Sequence, residues 1–167
     1  MTPLKLLLDT NVWLDYFLAR TPGHRAAAEL VALAEGSEKV ALYTSALLVK
    51  DIAYLLERDM KSGAREAGLV VSETVAAAAR ETAWGCVRMV LESSFIVPTG
   101  HPEVLQAFTL KSVHDDLEDD LLLGSAYRAD VDYVVTYDGQ LARRSPVPCV
   151  SVAEALELAR STVERRT

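Results

Sequence analysis

The chain opens on a short run that leaves little choice of environment. Residues 4–8, Leu-Lys-Leu-Leu-Leu, are almost wholly apolar and give way at once to Asp9-Thr10-Asn11. A strand of this kind, without polar alternation, belongs in a sheet covered on both faces. Ending it on a carboxylate puts a charge at the border of the core, where it must meet cations, protons or hydrogen bonds.

The remainder alternates helix and strand. Val12, Trp13, Tyr16 and Phe17 recur at helical spacing, so a helix follows the first strand directly. Thr21-Pro22 predicts a second helix, capped by Thr21, that runs to about Glu35 and stops at Gly36. A strand is expected over 40–44, then a helix over 46–60 capped by Ser45, with Leu48, Ile52, Leu55 and Leu56 on one stripe. Residues 61–68 are polar, contain two glycines and read as a loop. Ser72 caps an alanine-rich helix to about Glu92, with a stripe of Ala76, Ala83, Val87, Val90 and Leu91 and with Gly85 as a place for a bend. Further strands are expected over 95–98, 133–136 and 148–151, and further helices over 101–110, 117–129 and 152–163, with 137–144 a loop or short turn.

Strands separated by helices of this length form βαβ units, a parallel sheet and helices on both faces. The 167 residues fit a single domain over 1–167, with a charged tail fraying from about 164.

Half of the residues are hydrophobic, enough for a sizeable core. The formal charge of −7 argues against broad nonspecific binding to nucleic acid or an anionic membrane. A nucleic-acid substrate stays open if some of the acids bind metal, since loading neutralises them. Cys86 and Cys149 lie far apart without CxxC spacing, so reduced thiols are expected rather than zinc or a disulfide. The N-terminus lacks the pattern of a signal peptide, and no apolar stretch is long enough to span a bilayer. A cytoplasmic protein without a membrane partner is the expectation.

Most carboxylates fit solvated helix faces; four resist. Asp9 ends a strand where open parallel sheets bind ligands, or it caps the next helix. Asp51 lies inside a helix among Leu47, Leu48, Tyr54 and Leu55, either at the margin of the stripe or paired. Asp119 extends the face of Leu122, Leu123 and Ala126. Its neighbours Asp115, Asp116, Glu118 and Asp120 crowd it beyond what helix capping needs, although acids do favour a first turn. Asp138 follows a strand, or opens an Asp-Gly turn. Taken together, two of the four stand at C-terminal strand ends and two on helices that pack on the sheet. A carboxylate cluster without histidine or cysteine selects Mg²⁺ or Mn²⁺ over zinc. His24, His101 and His114 have no ligand-like spacing and are expected at the surface.

At this point the chain resembles the PIN-domain proteins. The matching stretches are 6–14 (LLLDTNVWL), Thr44-Ser45 with Asp51 beyond it, 116–121 (DLEDDL) leading to Ala126, and 132–138 (DYVVTYD), covering roughly the first 140 residues. The resemblance implies a three-layer α/β/α fold with a central, mainly parallel sheet, and a metal-dependent ribonuclease site. Many relatives are toxins of type II toxin–antitoxin pairs, of the VapC kind. Carried over motif by motif, Asp9, Asp51, Asp119 and Asp138 are the metal-site acids, and Asn11 and Thr136 support them. Asp116, one turn before Asp119, stands as a further ligand or supporting residue, and Asp120 remains an alternative to Asp119. The family usually carries glutamate where this chain has Asp51, one methylene shorter.

The chemistry implied is hydrolysis of RNA phosphodiester bonds with Mg²⁺ or Mn²⁺, leaving a 5′-phosphate and a 3′-hydroxyl. Setting the four acids aside still leaves a net −3, so RNA would rest on local cations and metal. Arg20, Lys50, Lys111, Arg143 and Arg144 are the candidates at the rim. The resemblance further implies an antitoxin protein as partner and a homodimer. Two alternatives compete: a PIN-fold interaction module with a weak or silent metal site, and, ranked lower, a Mg²⁺-dependent phosphatase. The phosphatase reading lacks its Asp-x-Asp motif, because Asp9 is followed by Thr10-Asn11.

Overall fold

The computed structural model describes residues 2–112 and 116–165. Among these residues five strands form one parallel sheet: β1 (Leu4–Leu8), β2 (Val40–Ser45), β3 (Phe95–Val97), β4 (Tyr133–Val135) and β5 (Cys149–Val150). Their order across the sheet is β3-β2-β1-β4-β5. The helices are α1 (Thr10–Leu18), α2 (His24–Glu35), α3 (Ala46–Glu66), α4 (Glu73–Ser93), α5 (His101–Leu110), α6 (Leu117–Ala129), α7 (Gly139–Arg144) and α8 (Val152–Glu164).

From β1 the chain steps outward to β2 and β3, then returns across β1 to β4 and β5. Right-handed crossovers put the helices of the two directions on opposite faces. Accordingly α1–α4 and α5–α7 form the outer layers, with α8 packed on α2, and the fold is a three-layer α/β/α sandwich. The expected parallel sheet is therefore present. Leu6, Leu7 and Leu8 are at most 1% exposed, as a strand covered on both faces requires. Trp13 fills the core beside them, stacked on Phe17, with its indole N–H donating to Thr44 Oγ1 at 3.0 Å.

Several boundaries differ from the sequence expectation. Helix α2 begins at His24, not at Thr21, because the Thr21 hydroxyl is turned back onto Asp15. Helix α3 does not stop at Met60 but continues to Glu66. Its polar last turns are tied by Lys61 to Glu57 and by Ser62 to Glu66, pairs four residues apart that support a helix without an apolar stripe. Gly68, at φ 77°, ends the segment. In α4 the buried stripe includes Ala79, while Leu91 is exposed, and the helix is continuous through Gly85. Residues 139–144, expected as loop or turn, form the short helix α7.

Candidate functional site

The order of strands reverses between β1 and β4, and open α/β sheets bind ligands at the carboxyl ends of strands at such a crevice. Asp9 follows β1 there and is 8% exposed. It stands at the N-cap of α1, yet its side chain makes no capping bond. Its Oδ2 accepts instead from Thr136 Oγ1 at 2.8 Å. Burial pushes the Asp9 carboxyl up, the Thr136 hydroxyl and the Thr10 and Asn11 amides pull it down, and the nearby charge of Asp138 raises it again; the net direction is upward.

Thr136 also accepts the backbone N–H of Asp138 at 2.9 Å, so one hydroxyl links the ends of β1 and β4. Asp138 caps α7, its Oδ1 accepting from the N–H of Gln140 (2.6 Å) and Leu141 (3.1 Å). The turn and the site readings of Asp138 are thus compatible: one oxygen caps, and the residue still lies in the field of Asp9. Asn11 is exposed on the first turn of α1.

The other acids come from α3 and α6. Asp51 is half-buried and paired with Lys50 at 2.9 Å. Asp116 caps α6, its Oδ1 accepting from the N–H of Glu118 (2.9 Å) and Asp119 (3.4 Å). Asp119 and Asp120 part company. Asp120 is 2% exposed and lines a groove between α5 and α6 with Phe108, Lys111 and Leu117. Asp119 is half-buried. The Cys149 thiol, held up mainly by burial, is raised further by the charges of both Asp119 and Asp9. The two carboxylates therefore share one neighbourhood. Asp115 and His114 lie outside the described residues.

Glu118 was only part of the crowd in the sequence, but in the structure it joins the two halves of the cluster. Its carboxyl is pushed up by burial, then by the charges of Asp51, Asp9 and Asp116, with Lys50 opposing. It lines a groove of about 380 Å³ with Ser45, Leu47, Leu48, Lys50, Asp51, Leu117, Leu121 and Leu122. Its place one turn before Leu121 and Leu122 was the available signal. Ser45, expected to cap α3, bonds instead to Ser125 Oγ (2.9 Å) and Thr99 Oγ1 (3.1 Å) beneath this groove.

Among the described residues, no three His, Cys, Asp or Glu side chains are drawn together as tightly as a closed metal shell requires. The donor type nevertheless suits a hard divalent cation, being carboxylate oxygen throughout. The carboxyls of Asp9 and Glu118 are raised first by burial and then by neighbouring carboxylates, and Lys50 sets one positive charge against Glu118 and Asp51.

Asp15, in α1, also escaped the sequence reading. It is 1% exposed and accepts from Thr21 N, Thr21 Oγ1 and Tyr137 OH, each at 2.7 Å. Burial would raise its carboxyl, but the hydrogen bonds from Thr21 and Tyr137 outweigh it and hold it below the usual range. The Tyr137 hydroxyl is pushed up to about 12, by burial and by Asp15. An acid inside the apolar stretch 12–18 was the visible signal.

Similar architectures are known. VapBC2 from Rickettsia felis, solved with a DNA fragment from its promoter, matches with a TM-score of 0.60 and 12% identity over 88% of this chain and 98% of that one. VapC20 from Mycobacterium tuberculosis, a sarcin-ricin loop cleaving toxin, matches with a TM-score of 0.61 and 14% identity over 84% and 95%. A toxin–antitoxin complex from Klebsiella pneumoniae matches with a TM-score of 0.56 and 17% identity over 88% and 97%. At these identities the likeness is one of fold. No curated protein matches the sequence. The PIN domain family model matches residues 5–140, which contain Asp9, Asp51, Asp119 and Asp138, and the chain belongs to the PIN domain family.

Proposed function

We propose that this protein is a metal-dependent endoribonuclease and the toxin of a type II toxin–antitoxin pair. The observation that carries the reading is the Thr136 hydroxyl joining Asp9 Oδ2 to the Asp138 N–H at the strand reversal of a PIN-domain chain. Asp9, Asp119, Asp138 and Asp51 would hold Mg²⁺ or Mn²⁺. When bound, such an ion lowers the pKa of its water and stabilises charge developing on the phosphate. The chain's own part is placement. Thr136 keeps Oδ2 of Asp9 oriented and ties it to the Asp138 backbone. Asp116 fixes the first turn of α6, which presents Glu118 and Asp119. Asn11, exposed on the first turn of α1, would serve as a polar contact at the rim.

The expected products are a 5′-phosphate and a 3′-hydroxyl. With a surface this acidic, RNA is held by local cations, of which Lys50 is paired with Asp51 of the cluster. Partnership with an antitoxin is supported by the Rickettsia felis and Klebsiella pneumoniae structures, which are toxin–antitoxin assemblies. A homodimer and a cytoplasmic location complete the reading. Among the described residues no helix is long and apolar enough to cross a membrane.

The test is cleavage of RNA with Mn²⁺, Mg²⁺ or EDTA, comparing wild type with Asp9→Asn and Asp119→Asn. Cleavage that needs the metal and fails in both variants supports the reading; EDTA-insensitive or undiminished cleavage overturns it. One observation favours a second reading, an interaction module with a silent site: Lys50 already neutralises Asp51, whose arm is short. Absence of Mn²⁺ binding by the wild type would select that reading.

A further inference from the structure

The geometry points to Asp15 and Tyr137 as a positioning pair that fixes the segment carrying Asp138 against α1, an inference that rests on the reading of Asp9 and Asp138 as parts of one metal site. Residues 136–138 hang on α1 at two points. At the N-terminal end of α1, Asp9 receives the Thr136 hydroxyl at 2.8 Å. Six residues further along the same helix, Asp15 Oδ2 receives the Tyr137 hydroxyl at 2.7 Å. Thr136 and Tyr137 are consecutive and follow β4 directly, and their hydroxyls meet the α1 segment six residues apart. Two bonds to separated points of one helix restrain both the position and the direction of the segment, which a single bond leaves free. Asp138 is the next residue.

The anchor is itself built rather than incidental. Asp15 is 1% exposed, and both of its oxygens are occupied by Thr21, through N–H and Oγ1. Ala19, at φ 50°, turns the chain back after α1 and donates its N–H to the Asp15 carbonyl, which brings Thr21 within reach. Thr21 Oγ1 in turn accepts from Gly23 N at 3.0 Å. A Cβ on Gly23 would stand 2.7 Å from the Tyr137 hydroxyl. A side chain there would push the Tyr137 hydroxyl aside, and glycine leaves it room. Tyr137 is otherwise 40% exposed, and the core does not account for its placement.

Tyr137→Phe removes the hydroxyl and keeps the ring. The experiment compares wild type, Tyr137→Phe, Asp15→Asn, the double variant and Arg128→Ala, which breaks a contact remote from the segment. Mn²⁺ half-saturation is measured directly by calorimetry, alongside kcat and KM for RNA and thermal stability. Tyr137→Phe is expected to raise the half-saturating Mn²⁺ about tenfold, the lower end of what partners of ligating residues contribute, and to lower kcat with little change in KM. The double variant should bind Mn²⁺ no more weakly than Asp15→Asn alone, and Arg128→Ala should lose stability without shifting half-saturation. Unchanged half-saturation in Tyr137→Phe, with Mn²⁺ bound by the wild type, overturns the pair, as does an equal shift in Arg128→Ala. A wild type that binds no Mn²⁺ and cleaves no RNA overturns the nuclease reading, and this inference with it.

Discussion

Thr136 donates its hydroxyl to Asp9 Oδ2 at 2.8 Å and accepts the Asp138 N–H at 2.9 Å, so a single side chain links the ends of two adjacent parallel strands. Valine at position 136 has nearly the same shape and can do neither. Thr136→Val should weaken Mn²⁺ binding by roughly tenfold to a hundredfold, the range seen when a partner of a ligating residue is removed. Thr136→Ser should retain most of it. Parallel Mn²⁺ titrations of the two variants check this, and equal losses would refute the role given to the hydroxyl.

Asp9 illustrates a conflict between stability and function. Its carboxyl is held above the ordinary range, chiefly by burial, so the folded state favours the protonated form. A raised carboxyl contributes stability that is fully present below the unfolded-state pKa of about 3.9 and is lost as pH rises through the folded value. At neutral pH, without metal, the charged Asp9 therefore costs stability. Asp9→Asn should raise the thermal midpoint of the metal-free protein at pH 7 and abolish the further rise that Mn²⁺ gives the wild type. Calorimetric scans with and without Mn²⁺ decide it; a lowered midpoint in the metal-free variant would contradict the argument.

The limits of the sequence reading have physical causes. Continuous apolarity identified β1, and the alternation of strand and helix identified a parallel sheet, because both follow from burial pattern alone. The bounds of α5 and α6 were equally legible. Hidden features were those set by side-chain hydrogen bonds. Ser45 and Thr21 are good helix caps in isolation, but Ser125 and Asp15 claim their hydroxyls. Helix α3 outran its apolar stripe through polar pairs on its surface. Helical phase favoured Asp119 over Asp120; in the structure the charge of Asp119 acts with that of Asp9 on the Cys149 thiol, and Asp120 lines the groove between α5 and α6. Glu118 offered only its place one turn before Leu121 and Leu122, since its role depends on the approach of Asp51 and Asp9 from elements distant in the chain.

Glu103 shows the opposite sign of linkage from Asp9. It is buried on α5, pairs with Arg128 of α6 at 2.8 Å and accepts the Gly100 N–H at 2.6 Å. Arg128 first, and then the Gly100 amide, hold its carboxyl below the usual range. Such a group contributes stability that is present above the unfolded-state pKa of about 4.3 and is lost as pH falls through the folded value. Glu103→Gln should be less stable than wild type at pH 7, and the gap should close as pH falls below 4.3 or so. Urea midpoints measured from pH 7 to pH 3 test this; a gap independent of pH would assign the effect to packing.

Close approach of the same two helices sets a last expectation. A Cβ on Gly124 would lie 2.9 Å from the Glu103 carbonyl oxygen and 3.4 Å from its Cα, both parts of the α5 backbone or its root. Backbone cannot swing aside as a side-chain tip does, so the helices must separate. Gly124→Ala gains up to about 1 kcal/mol of helix propensity against about 1–3 kcal/mol of overpacking, and the net effect should be destabilising. Gly85 of α4 supplies the contrast, with nothing within 4 Å of its added Cβ. There the propensity term acts alone, and Gly85→Ala should stabilise by roughly 0.5–1 kcal/mol. Because α6 carries Asp119 five residues before Gly124, the first variant should also lower RNA cleavage while the second leaves it intact. Chemical denaturation and cleavage rates on the two variants give four measurements, and a stabilised Gly124→Ala would show that α5 and α6 can part without strain.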